Sequence, residues 1–392
     1  MHVTYLAHDL DDPSIWRRVE MLRCGGAEVR VAGFRRGQGP LPGPATVLGR
    51  TANGRMVQRV RAILAAWPRV ARKVPPPVGP PEVVLARNLE MLALGARLVR
   101  ARKGQARLVY ELLDIHGMML GRGAAARALR RIEAALLRRT GLIVLSSPAF
   151  AARYLRPHGQ PEVPVLLVEN KPFARPQASR DAAPAPGGLE QGGPLIIGWF
   201  GMLRCRWSLD VLDRLTRSQP GRFRVVLRGR PALDVMGDFH DVIDANPDLS
   251  FLGPYDWPGD LPAIYAQVDV AWLIDRYQAG QNSDWLLPNR LYEGCLNGAV
   301  PVALDGTEVA RRLAAWDCGV IVAAPDTKAV AATLSAVDPA ALARRRAAVS
   351  AIPRAALEMD TAECRRLTAV LCGKSPVSAP EADASAAPVL AR

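Results

Sequence analysis

Twice along the chain, short apolar runs alternate with longer segments of helical period, and this repeated alternation restricts the fold more than any other feature. HVTYLA (His2 to Ala7) reads as a buried strand. After Ser14, which suits a helix N-cap, Ile15, Val19 and Leu22 recur at i, i+4 and i+7 until Gly25-Gly26 stops the helix. A strand from Glu28 to Phe34 follows, then VVLA (Val83 to Ala86), a helix from Asn88 to about Arg102, the strand LVYELL (Leu108 to Leu113), a basic helix around Arg127 to Arg139, and LIVLS (Leu142 to Ser146). Such an order predicts right-handed βαβ units and a parallel sheet covered on both faces.

Between Phe173 and Pro194 the chain turns to Pro, Gly and Ala with little periodicity, which marks a linker. A second series then begins: LIIGWFG, FRVVLRG, LSFLG, VDVAWLI, AVPVAL and GVIVAA are strand candidates separated by helix-length segments. With 392 residues the chain has room for two α/β domains rather than one core. The expected division is an N-terminal Rossmann-like domain over 1–172, a linker over 173–194, a C-terminal Rossmann-like domain over 195–340, C-terminal helices over 341–373 that pack back on the first domain, and a disordered tail over 374–392.

No apolar run reaches the roughly 18 to 20 residues of a membrane-spanning helix, and MHVTYLAHDLDDP has neither a basic n-region nor an apolar h-region, so a cytoplasmic location is expected. The six cysteines show no CxxC or Cys/His ligand spacing, so neither zinc nor a disulfide framework is expected. A formal charge of +14, carried mostly by arginine, favours a polyanionic partner: nucleic acid, anionic lipid or a diphosphate-bearing ligand.

Two segments carry chemistry. In LLPNRLYEGCLNGAVPVAL (Leu286 to Leu304), Pro288 suits the first turn of a helix, and Leu291, Cys295 and Leu296 bury one face before Asn297-Gly298 ends it. The free N–H groups around Asn289 and Arg290 make an anion site suited to a diphosphate, and Glu293, one turn in, is placed to accept hydrogen bonds from a vicinal diol. In IIGWFGMLRCRWSLDVLDRL, Gly198 and Gly201 bracket a strand exit where backbone can approach a ligand, with Arg204 and Arg206 just beyond. Plain alternatives are a solvated glutamate on an ordinary helix and solvated arginines at a domain edge.

Together these segments resemble the donor half of GT-B glycosyltransferases, especially bacterial exopolysaccharide enzymes of the succinoglycan and xanthan type. The resemblance implies an α/β fold of two Rossmann-like, doubly wound domains facing across a cleft. It implies that Glu293 binds the ribose hydroxyls of a nucleotide-sugar, that the amides at Asn289 and Arg290 hold the diphosphate, and that Arg204 and Arg206 neutralise it as leaving group without a metal. FRVVLRGRP and LSFLGPYDWPGDLPAIYAQVDVAWL resemble the family's intermediate landmarks, which places the base near Gly229, Arg230 and Tyr255, with Gly201 at the strand exit among the donor-binding residues. One departure stands out: many retaining members carry an acid eight positions before the ribose glutamate, where this chain has Trp285, with Ser283 and Asp284 beside it. Whether the anomeric configuration is retained stays open.

In the first half, Asp114 follows the strand LVYELL at its carboxyl edge, where a carboxylate can deprotonate an acceptor hydroxyl; a loop cap is the alternative. His8, Asp9 and Asp11 leave the first strand toward the same edge, with Arg17 on the next helix. From Arg55 to Lys73, the residues Val57, Val60, Leu64, Trp67 and Ala71 form one stripe among Arg59, Arg61, Arg69, Arg72 and Lys73, which suits a helix lying on an anionic membrane, or equally one packed on its sheet. The resulting expectation is transfer of a glycosyl group from a UDP- or GDP-sugar to a polyprenyl-diphosphate-linked acceptor, peripherally at the inner face of the membrane, with no cofactor or metal and no nucleic-acid partner. The rivals are a nucleotide-sugar epimerase of the same fold and a basic nucleic-acid-binding protein.

Overall fold

A computed structural model describes residues 1–51, 56–79, 82–173 and 188–376. The chain divides into two compact units, one of Met1–Glu169 with the stretch from Asp360 on, the other of Asn170–Met359. Residues 174–187 of the expected linker, and the expected tail from 377 on, lie outside the described residues.

The first unit runs β1 (His2–Ala7), α1 (Pro13–Cys24), β2 (Glu28–Arg35), β3 (Ala45–Arg50), α2 (Met56–Ala66), α3 (Val70–Lys73), β4 (Glu82–Arg87), α4 (Leu89–Ala101), β5 (Ala106–Leu112), α5 (Gly117–Leu120), α6 (Ala124–Leu137), β6 (Leu142–Leu145), α7 (Pro148–Phe150) and β7 (Val165–Leu167). Its strands form one sheet in the order β3-β2-β1-β4-β5-β6-β7, and each pairing is parallel. Every residue of β4 is buried, as a strand covered on both faces requires. The first helix starts at Pro13 rather than after Ser14. Asp12 is the cap and accepts from the Ser14 N–H at 2.9 Å, because proline preorganises the first helical position and the aspartate side chain reaches the free amide two residues on.

The second unit runs β8 (Leu195–Leu203), α8 (Arg206–Ser218), β9 (Phe223–Pro231), α9 (Phe239–Asp244), β10 (Leu249–Phe251), α10 (Leu261–Tyr265), β11 (Val270–Trp272), α11 (Asn282–Trp285), α12 (Asn289–Leu296), β12 (Val300–Leu304), α13 (Glu308–Ala315), β13 (Val320–Val322), α14 (Thr327–Ser335), α15 (Pro339–Ala351) and α16 (Arg354–Leu357). The sheet order is β10-β9-β8-β11-β12-β13, again parallel throughout. Its core is filled by Leu195, Ile197, Trp199, Leu209, Leu212, Val225, Leu227 and Trp272, all buried. Each such side chain contributes about 2 kcal/mol of burial free energy.

The last helix, α17 (Thr361–Leu371), belongs to the first unit and packs on α1. The Thr368 hydroxyl donates to the Gly25 carbonyl at 2.8 Å, and Arg107 donates to the carbonyls of Val370 and Leu371, each at 2.9 Å. A Cβ on Gly25 would lie 2.3 Å from the Cys364 carbonyl oxygen, so glycine permits this close approach. The helices α15 and α16 stay with the second unit, against α12.

Candidate functional site

In the second sheet the strand order reverses between β8 and β11, and open parallel sheets bind ligands at the carboxyl ends of the strands flanking such a reversal. β11 pairs with Ile197 and Gly198 of β8, so the end of β8 projects past it. Arg290, in the first turn of α12, lies across this point. Its Nη1 reaches the Phe200 carbonyl at 3.5 Å, its Nη2 reaches the Leu273 carbonyl at 3.3 Å, and its buried Nε makes no hydrogen bond among the described residues. Carbonyl dipoles orient a guanidinium without cancelling its charge. The helix behind it begins at Pro288 in extended conformation with no side-chain cap, so the first amides of α12 add their partial positive charge to that of Arg290.

One turn on, Glu293 is 4% exposed. The indole Nε1 of Trp257 donates to its Oε1 at 2.8 Å. Burying a carboxylate is costly unless it is hydrogen-bonded, and Trp257 supplies a bond to it. Sequence reasoning missed Trp257, because it lies in the turn between β10 and α10, where a tryptophan gives no periodic or motif signal.

Gly201 and Gly229 face each other in the β8–β9 register. Both have positive φ, +101° and +129°, and a Cβ on Gly229 would lie 1.9 Å from the Gly201 carbonyl oxygen. Glycine is therefore obligatory at Gly229. The Tyr255 hydroxyl comes within 3.9 Å of where a Gly201 Cβ would stand, so Gly201, Gly229 and Tyr255 gather at the projecting end of β8. Arg230 follows on β9 and is exposed.

The two arginines after β8 are already paired. Arg204 donates from Nη2 and Nε to Asp275 Oδ2 at 3.2 and 3.3 Å, and stacks over Tyr277 with 5.0 Å to the ring centroid. Asp275 also accepts from the Tyr277 N–H and the Ser283 hydroxyl. Arg206 binds Asp210 at 2.7 Å and Asp238 on the other side, two carboxylates that over-compensate one guanidinium. Of the expected diphosphate ligands, Arg290 is the cation left uncompensated, and Arg204 and Arg206 are held by acids. Beside the missing acid at Trp285, Asp284 accepts from the Gly280 N–H at 2.8 Å, a local turn bond.

Asp114, in the first unit, is exposed in the loop after β5. The strand below it carries the fully buried Glu111, which accepts from Tyr5 Oη at 2.5 Å, Arg18 Nε at 2.7 Å and Arg87 Nε at 2.9 Å. Burial alone would raise this carboxyl, but the Arg87 and Arg18 guanidiniums outweigh it and hold it below the usual carboxylate range. Burial, aided by Arg87, depresses His8 to about 4, so the imidazole is neutral, and its Nδ1 makes no hydrogen bond among the described residues. Asp11 is engaged by Arg35 and by the N–H groups of Arg36 and Gly37, which lower it to about 2, and Asp9 pairs with Arg36 at 3.4 Å. Among the described residues no group of three or more His, Cys, Asp or Glu side chains is placed to share a metal ion. No helix among them is long and apolar enough to cross a membrane.

No family model matches the chain. It is 41% identical over 377 residues to the succinoglycan biosynthesis protein ExoL of Rhizobium meliloti, covering 94% of this chain and 92% of that protein. Among solved structures it is similar to Anabaena HepE in complex with UDP and glucose, with TM-score 0.66 and 14% identity over 96% of this chain and 100% of the other. It is similar to the same degree, TM-score 0.66 and 15% identity over 96% and 100%, to sucrose-phosphate synthase from Thermosynechococcus elongatus. These likenesses show the fold, two parallel doubly wound units of the GT-B type. The chain belongs to the family of the exopolysaccharide-biosynthesis protein ExoL and carries the GT-B fold of glycosyltransferases.

Proposed function

We propose that the chain transfers a glycosyl group from a nucleotide-sugar to a growing exopolysaccharide precursor. The observation that carries this reading is the pair formed by Arg290 and Glu293 on α12: an uncompensated guanidinium at the strand-order reversal and a buried carboxylate one turn away. That spacing matches a diphosphate followed by a ribose diol. The amides of Asn289 and Arg290 complete the diphosphate site, while Gly201, Gly229, Arg230 and Tyr255 leave room for the base and the donor backbone. UDP is the favoured nucleotide, since HepE of the same fold binds it.

In the transfer, the acceptor hydroxyl oxygen bonds to the anomeric carbon as the bond from that carbon to the diphosphate oxygen breaks. Negative charge develops on the departing nucleoside diphosphate, where Arg290 and the start of α12 stabilise it. Arg204 and Arg206 reinforce this only by exchanging a carboxylate partner for the phosphate. Asp114 is assigned the acceptor proton, with neutral His8 as a hydrogen-bond partner for the acceptor sugar. The donor set consists of guanidinium and amide groups, and no metal or cofactor is assigned a part. The acceptor is proposed to be a polyprenyl-diphosphate-linked oligosaccharide, reached from the inner face of the membrane.

Calorimetric titration with UDP, GDP, ADP and dTDP tests the reading, repeated with Glu293→Ala. Binding of one nucleotide that weakens in the variant supports it; no binding of any nucleotide overturns it. Incubation with the UDP-sugar alone separates the epimerase alternative, which an epimerised sugar in the absence of acceptor would establish.

A further inference from the structure

The strand order of the first sheet also reverses, between β1 and β4, and the residues leaving the carboxyl ends of these two strands carry unused hydrogen-bonding atoms. His8 follows β1 and Asn88 follows β4, each two residues past the paired Leu6 and Ala86, so both leave neighbouring strands at the same level. Arg87 and Glu90, which bracket Asn88 in the chain, both act on the charge of the His8 ring, which sets that ring beside them. The imidazole Nδ1 and the Asn88 Oδ1 are buried, and neither makes a hydrogen bond among the described residues. Buried polar atoms without partners are costly, and two of them at a ligand-binding edge point to a ligand that completes them. Each residue as a whole is half-buried, so a turn about χ2 brings either atom to an incoming hydroxyl.

Asn88 holds its place against its backbone preference. Its φ of +71° with ψ of +166° lies in a region that only glycine adopts readily. Its N–H donates to the Glu111 carbonyl at 3.1 Å and its carbonyl accepts from the Leu92 N–H at 3.0 Å, so the chain is fixed on both sides. Asparagine at a helix start ordinarily caps it, yet this side chain makes no cap bond to α4. Backbone conformation and capping therefore leave the choice of asparagine unexplained, and its free amide oxygen explains it.

The charges around the pair are answered. Arg87 is met by Glu111 at 2.9 Å and Asp12 at 3.6 Å, Glu90 by Arg59, Asp9 by Arg36 and Asp11 by Arg35. With His8 neutral, the edge offers two uncharged groups, which suit hydroxyls and leave no spare cation for a carboxylate or phosphate.

We propose that Asn88, together with His8, selects the acceptor: the two side chains hydrogen-bond the hydroxyls of a neutral terminal hexose, and an acceptor ending in a uronic acid is rejected. This rests on the glycosyltransferase reading and extends it from the donor to the chemical class of the acceptor.

Saturation-transfer NMR of the full chain with methyl β-glucoside, methyl β-galactoside and methyl β-glucuronide tests it, beside calorimetric titration with UDP. At least one neutral glycoside is expected to bind, about tenfold or more tighter than the glucuronide. Asn88→Gly removes the amide and relieves the backbone, so its Tm is expected to be no lower than that of wild type and its UDP affinity unchanged. Its Kd for the neutral glycoside is expected to rise about tenfold, the size of a lost hydrogen bond. A merely structural role for Asn88 gives the opposite pattern, a lower Tm with the glycoside Kd unmoved. The proposal is overturned if neither neutral glycoside binds wild type, if the glucuronide binds as tightly, or if Asn88→Gly lowers Tm or binds the glycoside like wild type. Absence of UDP binding to wild type sinks the donor reading instead, so the two failures are read separately.

Discussion

Trp257 donates its indole N–H to the carboxylate of Glu293 across 2.8 Å, joining the turn after β10 to the second turn of α12. The bond restrains a carboxylate that must meet a diol at fixed geometry. Trp257→Phe keeps the ring and removes the donor, and is expected to weaken UDP binding by roughly tenfold, the size of a lost hydrogen bond to a charged group. Titration of wild type and variant checks this, and an unchanged affinity would detach Trp257 from the site.

Arg290 and Arg206 should respond differently to removal. Arg290→Ala deletes the uncompensated cation at the strand-order reversal, and a loss of about a hundredfold in kcat/KM is expected from the missing phosphate contacts. Arg206→Ala deletes a group whose charge is already answered by Asp210 and Asp238, and exposed pairs contribute little, so a change within about threefold is expected. Steady-state rates with UDP-sugar and acceptor decide between them; equal losses would mean that Arg206 leaves its carboxylates during turnover.

Gly229→Ala is expected to destabilise the second unit by about 3 kcal/mol or more, since its Cβ would overlap the neighbouring strand and its φ disfavours any side chain. The overlap is with backbone, the Gly201 carbonyl oxygen at 1.9 Å, which cannot swing aside. Urea unfolding measures it, and a wild-type midpoint would contradict the strand geometry.

Glu133 makes stability depend on pH. Burial raises its carboxyl from 4.5 to about 7, against the opposing bonds from Tyr154 and Tyr110. The folded state therefore holds the proton more tightly than the unfolded chain, so this group's contribution is complete below pH 4.5 and is lost as pH rises toward 7. Glu133→Gln removes the titration, and the drop in unfolding free energy between pH 5 and pH 8 is expected to shrink by about 1 to 3 kcal/mol. Urea unfolding at the two pH values checks it; an identical drop in the variant would show that Glu133 titrates normally.

Periodicity and punctuation determined much of this protein directly. The alternation of apolar runs and helical stripes prescribes two parallel sheets, because a strand buried on both faces must be apolar along its interior and a helix covering it must be apolar on one side; Val83 to Ala86 of β4 follow that rule, while its buried ends Glu82 and Arg87 are charged and paired with Arg102 and Glu111. Glu293 and Arg290 were legible for the same local reason, since a helix start and its first turn lie within a few residues of one another, and Gly229 because a glycine at a strand exit marks its own segment. The partners of each charge were not legible. That Arg204 meets Asp275, Arg206 meets Asp238 and Trp257 meets Glu293 depends on which strand ends lie side by side, and those pairs are separated in sequence by 71, 32 and 36 positions. For α17 the return to the first unit was expected, but not the contacts that hold it there, a glycine, a threonine hydroxyl and an arginine meeting backbone carbonyls far away in the chain. Local pattern selects the elements, because backbone sterics and side-chain spacing act over one turn or one pleat. Only the packed structure decides which cations remain uncompensated, because charge pairing acts through space.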